Sequence, residues 1–497
     1  MELQFSKKEL TCMRQLTDQM IHQEQTQELR LDESQQAVQR VLGVWGQVLL
    51  RGKQWNSDSV QVNGGVMVWV VYTGEDNVIS GAQAWIPFQV RCDVPSVAAD
   101  GYIQAQGFLR NLDARVITDR KLILRVGVDV HVCTYVDHKV RICCPENLPP
   151  QIRVLERTYP MLLPVQTGEK HFEINEELTL PGSCQPIQKL LRFSLQPELI
   201  DKKVMADKVV FRGTALVHVL YLGQDGQLYS WDFEIPFSEF TNLDDMCEEQ
   251  AQTQLSMALT SLEMECSPQG SVYLKAGVVG QYLICDRKNI SVVEDAYCTN
   301  GVLTANVEQL ELLPILQMED TAVRAEQFLE MEGVRMADVS FCPEPPAIHR
   351  DENGVQLDLN GTFQMLYYDR EGMLENGVCH WNGNQYFQSD RDTRSCCQIS
   401  PSGVAQASLS GTGAIARGDL LVSTITKAEQ RMNMITGVEW TQQEKCGKRP
   451  SLILRKAHGQ SLWELAKATG STVEAIQKAN DLEDFVPEDR MLLIPVQ

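Results

Sequence analysis

Short runs in which every second residue is apolar dominate most of this chain, the period of strands with one buried face. Gly64-Gly-Val-Met-Val-Trp-Val-Val-Tyr72 is one such run, rich in β-branched residues. It returns at an offset of 149 as Gly213-Thr-Ala-Leu-Val-His-Val-Leu-Tyr221, within an ungapped recurrence of residues 28–88. Gly74-Glu-Asp-Asn77 and Gly223-Gln-Asp-Gly226 follow the two runs and supply residues that tolerate positive φ. Each run should therefore open a hairpin whose returning strand ends at Ile86-Pro-Phe88 or Ile235-Pro-Phe237. A second rhythm has a 3–4 spacing. After Glu28-Leu-Arg-Leu31 and its counterpart Glu177-Leu-Thr-Leu180, Val38, Val41 and Leu42 match Ile187, Leu190 and Leu191, which predicts a short amphipathic helix opening each copy.

Beyond the hairpin, Leu109, Leu112, Leu124 and Gly127 align with Leu259, Leu262, Leu274 and Gly277 at an offset of 150, again in strand-like alternation. A third, diverged copy shows in Leu366-Tyr-Tyr-Asp-Arg-Glu-Gly372, where Tyr367 precedes its turn glycine as Tyr221 precedes Gly226. Thr321 to Met331 is its candidate opening helix, before the Cys342-Pro-Glu-Pro-Pro346 turn, and strands follow from Ala405 to Val438. With no long crossover helices, the units read as mainly β: three tandem sandwich-like repeats, each with a short helix and roughly six to eight strands. The expected boundaries are 1–158, 159–313 and 314–446. The recurring Ile-Pro-Phe and tyrosine positions are assigned to core, where periodic aromatic residues of strands usually lie.

After Cys446-Gly-Lys-Arg-Pro450 the period changes, and a new unit, 447–497, begins. Leu452-Ile-Leu454 reads as a strand and Ser461 to Ala468 as a helix stopped by Gly470. Ser471 or Thr472 caps a second helix, Val473 to Ala479, ending at Asn480, and Met491-Leu-Leu-Ile-Pro495 closes a β-α-α-β order.

Charge narrows the partners. With 44 basic and 66 acidic residues the net charge is −22, which repels phosphate backbones and anionic lipids, so no nucleic acid is expected. Met1 to Leu10 has no apolar core of a signal peptide, and no run approaches the roughly 20 apolar residues of a membrane span. Fifteen cysteines, without CxxC pairs and including vicinal Cys143-Cys144 and Cys396-Cys397, suit reduced thiols in a cytosol.

The last unit is similar to LysM domains through Gly459-Gln-Ser-Leu-Trp-Glu-Leu-Ala466, Gly470, Val473, Ile476, Lys478-Ala-Asn-Asp-Leu482 and Leu492-Leu-Ile-Pro495. The resemblance implies a groove between the loop before the first helix and the loop after the second, which in that family holds N-acetylglucosamine polymers. Carried over, it lies at Gly459 to Leu462 and Asn480 to Asp484, and its candidate partner- or glycan-binding residues are Gly459, Gln460, Ser461, Leu462, Trp463, Asn480 and Leu482. Gln460 replaces the family's usual Asp, and Pro487-Glu-Asp-Arg490 its usual turn, departures that weaken glycan binding. Acidic Glu483, Asp484, Glu488 and Asp489 either face a basic protein partner or are solvated surface. Trp463 is open to two readings, groove contact or plug of the unit's own core beside Leu465 and Ile476.

Val-rich repeats with Leu-Tyr-x-x-x-Asp-Gly and Ile-Pro-Phe elements before such a module resemble the SipL-like spore coat morphogenetic proteins of clostridia, SPOCS repeats followed by LysM. The resemblance implies a non-enzymatic adaptor made in the mother-cell cytoplasm, recruited to the forespore surface, and binding the coat ATPase stage IV sporulation protein A through LysM, with other coat proteins as further partners. The alternative is a peptidoglycan- or chitin-oligomer-binding protein of wall remodelling. No cofactor or metal is expected: the eight histidines show no HExxH spacing, and no Walker A loop or GxSxG elbow occurs. Cys379 and His380, adjacent in a strand, point to opposite faces and cannot act as nucleophile and base.

Overall fold

The computed structural model describes the chain except residues 1, 96–99, 268–270, 352–353, 391, 443–450, 458, 483–489 and 497. A short strand, β1 (Glu2–Gln4), precedes the first copy, which comprises β2 (Ser6–Arg30), β3 (Arg40–Trp55), β4 (Ser59–Thr73), β5 (Ile79–Asp93), β6 (Tyr102–Thr118) and β7 (Lys121–Cys144). The second repeats this order as β8 (Ile152–Leu178), β9 (Ile187–Met205), β10 (Lys208–Gly223), β11 (Leu228–Asn242), β12 (Gln252–Cys266) and β13 (Val272–Cys298). In the third copy the outer strands are interrupted. Its first is split by Pro314 into β14 (Gly301–Leu312) and β15 (Ile315–Glu330); β16 (Gly333–Pro343), β17 (Ala347–Arg350), β18 (Gly354–Asp369), β19 (Leu374–Gln388) and β20 (Thr393–Ser410) follow, and its last is split into β21 (Gly413–Ala428) and β22 (Gln430–Gln442). The expected limit at 158 thus falls inside β8.

Each copy places two antiparallel layers of three strands face to face: β3-β4-β5 on β2-β7-β6, and likewise β9-β10-β11 on β8-β13-β12 and β16-β18-β19 on β15-β21-β20, with β17 beside β18 and with β8 joined to β15 at Leu162 and Ile315, so that two outer layers run on as one six-stranded sheet. Alternation selects the core. Val60, Val62, Val66, Val68, Val70 and Tyr72 of β4 meet Leu122, Leu124, Val126, Val128, Val130 and Val132 of β7, all buried in one cluster. Each such side chain contributes about 1.5–3 kcal/mol when fully buried. Leu357, Leu359, Phe363 and Met365 meet Ala414, Ala416, Leu420 and Val422 in the same way in copy three.

The Ile-Pro-Phe elements do not end their strands. They lie mid-strand in β5 and β11, edge strands in which proline removes no ladder hydrogen bond. Their rings explain the repeated glycines: Phe88 pairs with Gly64 and Phe237 with Gly213, and a Cβ there would come within 2.6 Å of Phe88 and 2.5 Å of Phe237. The turns behave as their residues predict, with positive φ at Asp76, Asn77, Gly226 and Gly372.

Among the described residues no helix opens any copy. Val38 sits in the turn before β3, Ile187 to Leu191 belong to β9, and Thr321 to Glu330 belong to β15 with Met331 following it. The 3–4 spacing arises from a β-bulge. Register shifts leave Leu42, Leu191 and Ala337 as the extra residue at the corresponding point of β3, β9 and β16, opposite Tyr72, Tyr221 and Tyr367. The bulge turns all three inward to one cluster, where the copies meet.

A second set of bulges organises the outer strands. Leu16, Val165 and Leu316 are the extra residues of β2, β8 and the β14–β15 strand. On one side of them the ladder is a sheet of the sandwich. On the other, β6 and β12 have ended at Tyr102 and Gln252, and β20 begins at Thr393, so the outer strands continue as two-stranded ribbons. A lone ribbon cannot bury its apolar face. The three ribbons pack on each other instead, enclosing Phe5, Val140, Ile152, Ile290, Val292, Leu312, Met434 and Val438. β1 pairs with β22, Leu3 opposite Val438, so the start of the chain completes the third ribbon.

Between the sandwiches lies a cavity of about 690 Å³, lined by the equivalent strands β3, β9 and β16 with β6, β12, β20 and residues of β18 and β19. Beside it a buried polar cluster joins all three copies. Arg192 Nη1 donates to Asp338 Oδ2 at 3.0 Å, and its guanidinium lies 4.9 Å from the ring centre of Trp45, whose Nε1 donates to Ser340 Oγ. His218 bridges Asp338 (2.8 Å) and Asp232 (2.7 Å). Burial alone would lower the His218 pKa, but Asp338 and Asp232 override it and raise it to about 9. Protonated His218 therefore stabilises the fold fully below its unfolded pKa of about 6.5, and that stability is lost as pH rises through about 9. The melting temperature should fall by a few degrees more between pH 7 and pH 10 in the native chain than in His218→Gln; equal slopes in calorimetry would show that this histidine is not charged in the fold.

Candidate functional site: the C-terminal module and its seat

The C-terminal unit forms the expected βααβ order: β23 (Leu452–Lys456), α1 (Leu462–Thr469), α2 (Val473–Asn480) and β24 (Met491–Pro495), the strands antiparallel. Its helices are short and depend on their caps. Ser461 accepts from the Glu464 N–H while Glu464 accepts from the Ser461 N–H, a capping box, and Gly470 closes α1 at φ +66°. Thr472 caps α2, and Asp481 ends it in the left-handed region.

The structure distributes the candidate groove residues unevenly. Gly459 holds φ +74° in the loop before α1, and Gln460 keeps a buried amide oxygen without a hydrogen-bond partner among the described residues. Ser461 is spent on the cap, and Leu462 lies in the module's core with Leu482 packed against it. Asn480 is buried and structural: its Nδ2 donates to Leu493 O (2.6 Å) and Ile476 O, while its Oδ1 accepts from Leu493 N–H (2.7 Å). It ties α2 to β24. Glu483, Asp484, Glu488 and Asp489, like Cys446 to Pro450, lie outside the described residues.

Trp463 packs against the module's core beside Leu465 and Ile476, as one reading has it, and also makes a contact that neither anticipates. Its Nε1 donates to Asp295 Oδ2 at 2.8 Å, and its ring stands edge-on to Tyr297 at 4.8 Å, both in β13 of the second copy. Lys467, one turn on, pairs with Asp295 at 2.7 Å. The Tyr297 hydroxyl donates to Ser471 O, and its ring is counted into the module's core with Leu465, Ala466 and Ile476. Burial would raise the Asp295 pKa, but the hydrogen bonds and charge of Lys467 and Trp463 hold it below the ordinary carboxylate range. The α1 side of the module is thus seated on copy two. Asp295 and Tyr297 carry no signal in the sequence, because nothing local links them to a helix beginning at 462.

The opposite side is open. Along β23 and β24 alternation sends Ile453, Leu492 and Ile494 inward and leaves Leu452, Leu454, Met491 and Leu493 outward, 51%, 60%, 50% and 39% exposed. Leu454 and Leu493 are paired across the two strands, so these side chains form one apolar face. Elsewhere, Cys379 is buried while His380 is exposed on the other face of β19, its Nδ1 3.1 Å from Thr362 Oγ1.

These features define a repeat-built β scaffold that holds a small α/β module with one face anchored and one face free. Compared with known families, residues 186–267 match the SipL SPOCS domain. That segment begins one residue before β9 and ends one after β12, leaving the ribbon strands β8 and β13 outside it. No curated protein and no solved structure matches the chain.

Tyr297→Ala should release the module. Amide exchange in α1 is expected to quicken at least tenfold while protection in β10 and β18 stays unchanged; unaltered α1 exchange would mean that the seat does not hold it.

Proposed function

We propose that this chain is a non-enzymatic sporulation scaffold, an adaptor of spore coat assembly that acts in the mother-cell cytoplasm at the forespore surface. In this reading the C-terminal module is a LysM domain turned to protein binding, and its partner is the coat ATPase stage IV sporulation protein A. The similarity of copy two to the SipL SPOCS domain supports the sporulation role. The observation that carries the binding mode is the free apolar face of Leu452, Leu454, Met491 and Leu493, on a module whose Trp463 and Asn480 are already engaged within the molecule. Interfaces draw their affinity from such apolar centres rather than from exposed charges. The groove contributes at its edge, through Gln460 and the loop around Gly459.

The experiment is a binding titration of the full-length chain with the purified ATPase, beside a sedimentation assay with peptidoglycan sacculi. Leu454→Lys with Leu493→Lys should weaken ATPase binding at least tenfold with an unchanged melt, and Gln460→Ala should weaken it less. Retention on sacculi without ATPase binding would overturn the reading in favour of a wall-binding protein.

A further inference from the structure

The three seams between copies are not equivalent. At the first, Lys53 forms an ion pair with Glu169; at the second, Lys202 pairs with Asp320 at 3.0 Å. These are the same contact one copy apart, because Glu169 and Asp320 each stand four residues after the ribbon bulges at Val165 and Leu316. At the third seam, which closes the ring between copies three and one, the contact has no counterpart among the described residues. Met20 occupies the carboxylate's place after the bulge at Leu16, and β16 ends at Pro343.

A different set of side chains gathers there. Asp18 faces Cys133 across the β2–β7 ladder, and His131 lies two residues from Cys133 on the same strand face. Val130 and Val132 point the other way, into the sandwich core. His131 Nε2 lies 2.6 Å from Asp18 Oδ1 and 3.5 Å from Cys133 Sγ, and the three donor atoms are all within 4.8 Å of one another. His131 and Cys133 are buried. From the third copy, Cys396 of β20 faces Asp18 from outside this group of three.

We propose that Asp18, His131 and Cys133 form a site for a divalent cation of the zinc class, and that Cys396 closes in as the fourth donor when the ion binds, stapling copy three to copy one. Two sulfurs, an imidazole nitrogen and a carboxylate are a donor set that selects zinc over magnesium or calcium. Donors about 2.0–2.3 Å from one tetrahedral ion stand roughly 3.3–3.8 Å apart, so the His131 nitrogen and Cys133 sulfur already have the spacing, the carboxylate oxygen must withdraw by less than about 1 Å, and Cys396 must approach.

Charge balance is an independent argument. Lys427 is 2% exposed, its Nζ donates to Gln15 Oε1 at 2.7 Å, and among the described residues it has no carboxylate at ion-pair distance. The charge it faces is the Asp18 carboxylate, beyond ion-pair distance. Two thiolates, a carboxylate and a divalent ion sum to −1, and Lys427 brings the assembly to zero. Binding then displaces two protons, one from each sulfur, to the buffer.

The full-length chain is titrated with Co²⁺ and, separately, Zn²⁺ in chelating buffer. Expected are one equivalent per chain, a thiolate-to-cobalt charge-transfer band, displacement by Zn²⁺, and a rise in melting temperature. Asp18→Asn, Cys133→Ser and Cys396→Ser should each weaken binding by at least about 10–100-fold, and Cys396→Ser should roughly halve the charge-transfer intensity. Cys266→Ser, at an exposed thiol, should change none of these. Should Cys133→Ser fail to fold, the other two variants decide, with folding checked by circular dichroism. An undiminished cobalt band in folded Cys396→Ser, or zinc binding equal in native and Asp18→Asn chains, would overturn the site.

Discussion

The arrangement of this molecule follows from one burden, a two-stranded ribbon with an apolar face and nothing of its own copy to cover it. Within each sandwich the outer strands are flanked by a third strand and a facing sheet. Past Leu16 and Val165 they have neither, and past Leu316 they have only the short β1. The ribbon residues Val140, Ile152, Ile290 and Met434 are buried only because three ribbons share one core. A single copy would therefore fold as a sandwich trailing an exposed apolar hairpin, and the three-copy chain is the smallest unit in which that surface is covered. Completion of the third ribbon by β1 fits the same logic, since Phe5 enters the shared core just after β1 pairs with β22.

Most of the sandwich was legible because its determinants are local and repeated. Alternation gives the strands, the glycine-centred turns give the hairpins, and the offset of 149 to 150 gives the copies. The helix assignment failed for a definite reason. A bulge inserts one residue into a period-2 pattern, so apolar residues appear at adjacent positions and then at three apart, which imitates a helix face over so short a span. Leu42 and Leu191 carried that imitation while serving as contacts between copies. The ribbon core was illegible because each strand bears the same alternation on both sides of its bulge, and only the end of the third strand tells which surface changes partner.

The C-terminal module shows the opposite division. Its caps are written in the sequence, and Ser461, Gly470 and Thr472 occupy their places. Part of its candidate surface is engaged within the molecule, because a short sequence cannot distinguish a polar residue that faces a ligand from one that stitches a loop. Asn480 is of the second kind, and Trp463 is claimed by a strand end far away in the chain. Seating α1 on β13 fixes the orientation of the β23–β24 face relative to the scaffold, so a partner bound there would be held at a set position rather than on a tether.

Near-identical copies raise a problem of order, since equivalent apolar surfaces would pack almost as well in a wrong pairing. Apolar contacts such as Leu42, Leu191 and Ala337 cannot discriminate. The polar contacts can. Arg192, His218 and Asp338 join copies two and three through a constellation in which each charge has one set of partners, and Gln281 exchanges hydrogen bonds with Ala105 only at the seam of copies one and two. A mispaired seam would leave these groups buried and unpaired, at a cost of about 1–3 kcal/mol for each neutral group and more for each charge. At the closing seam, whose partners are the most distant in sequence, the lysine–carboxylate contact repeated at the other two seams is replaced by the cluster of Asp18, His131 and Cys133 beside Lys427.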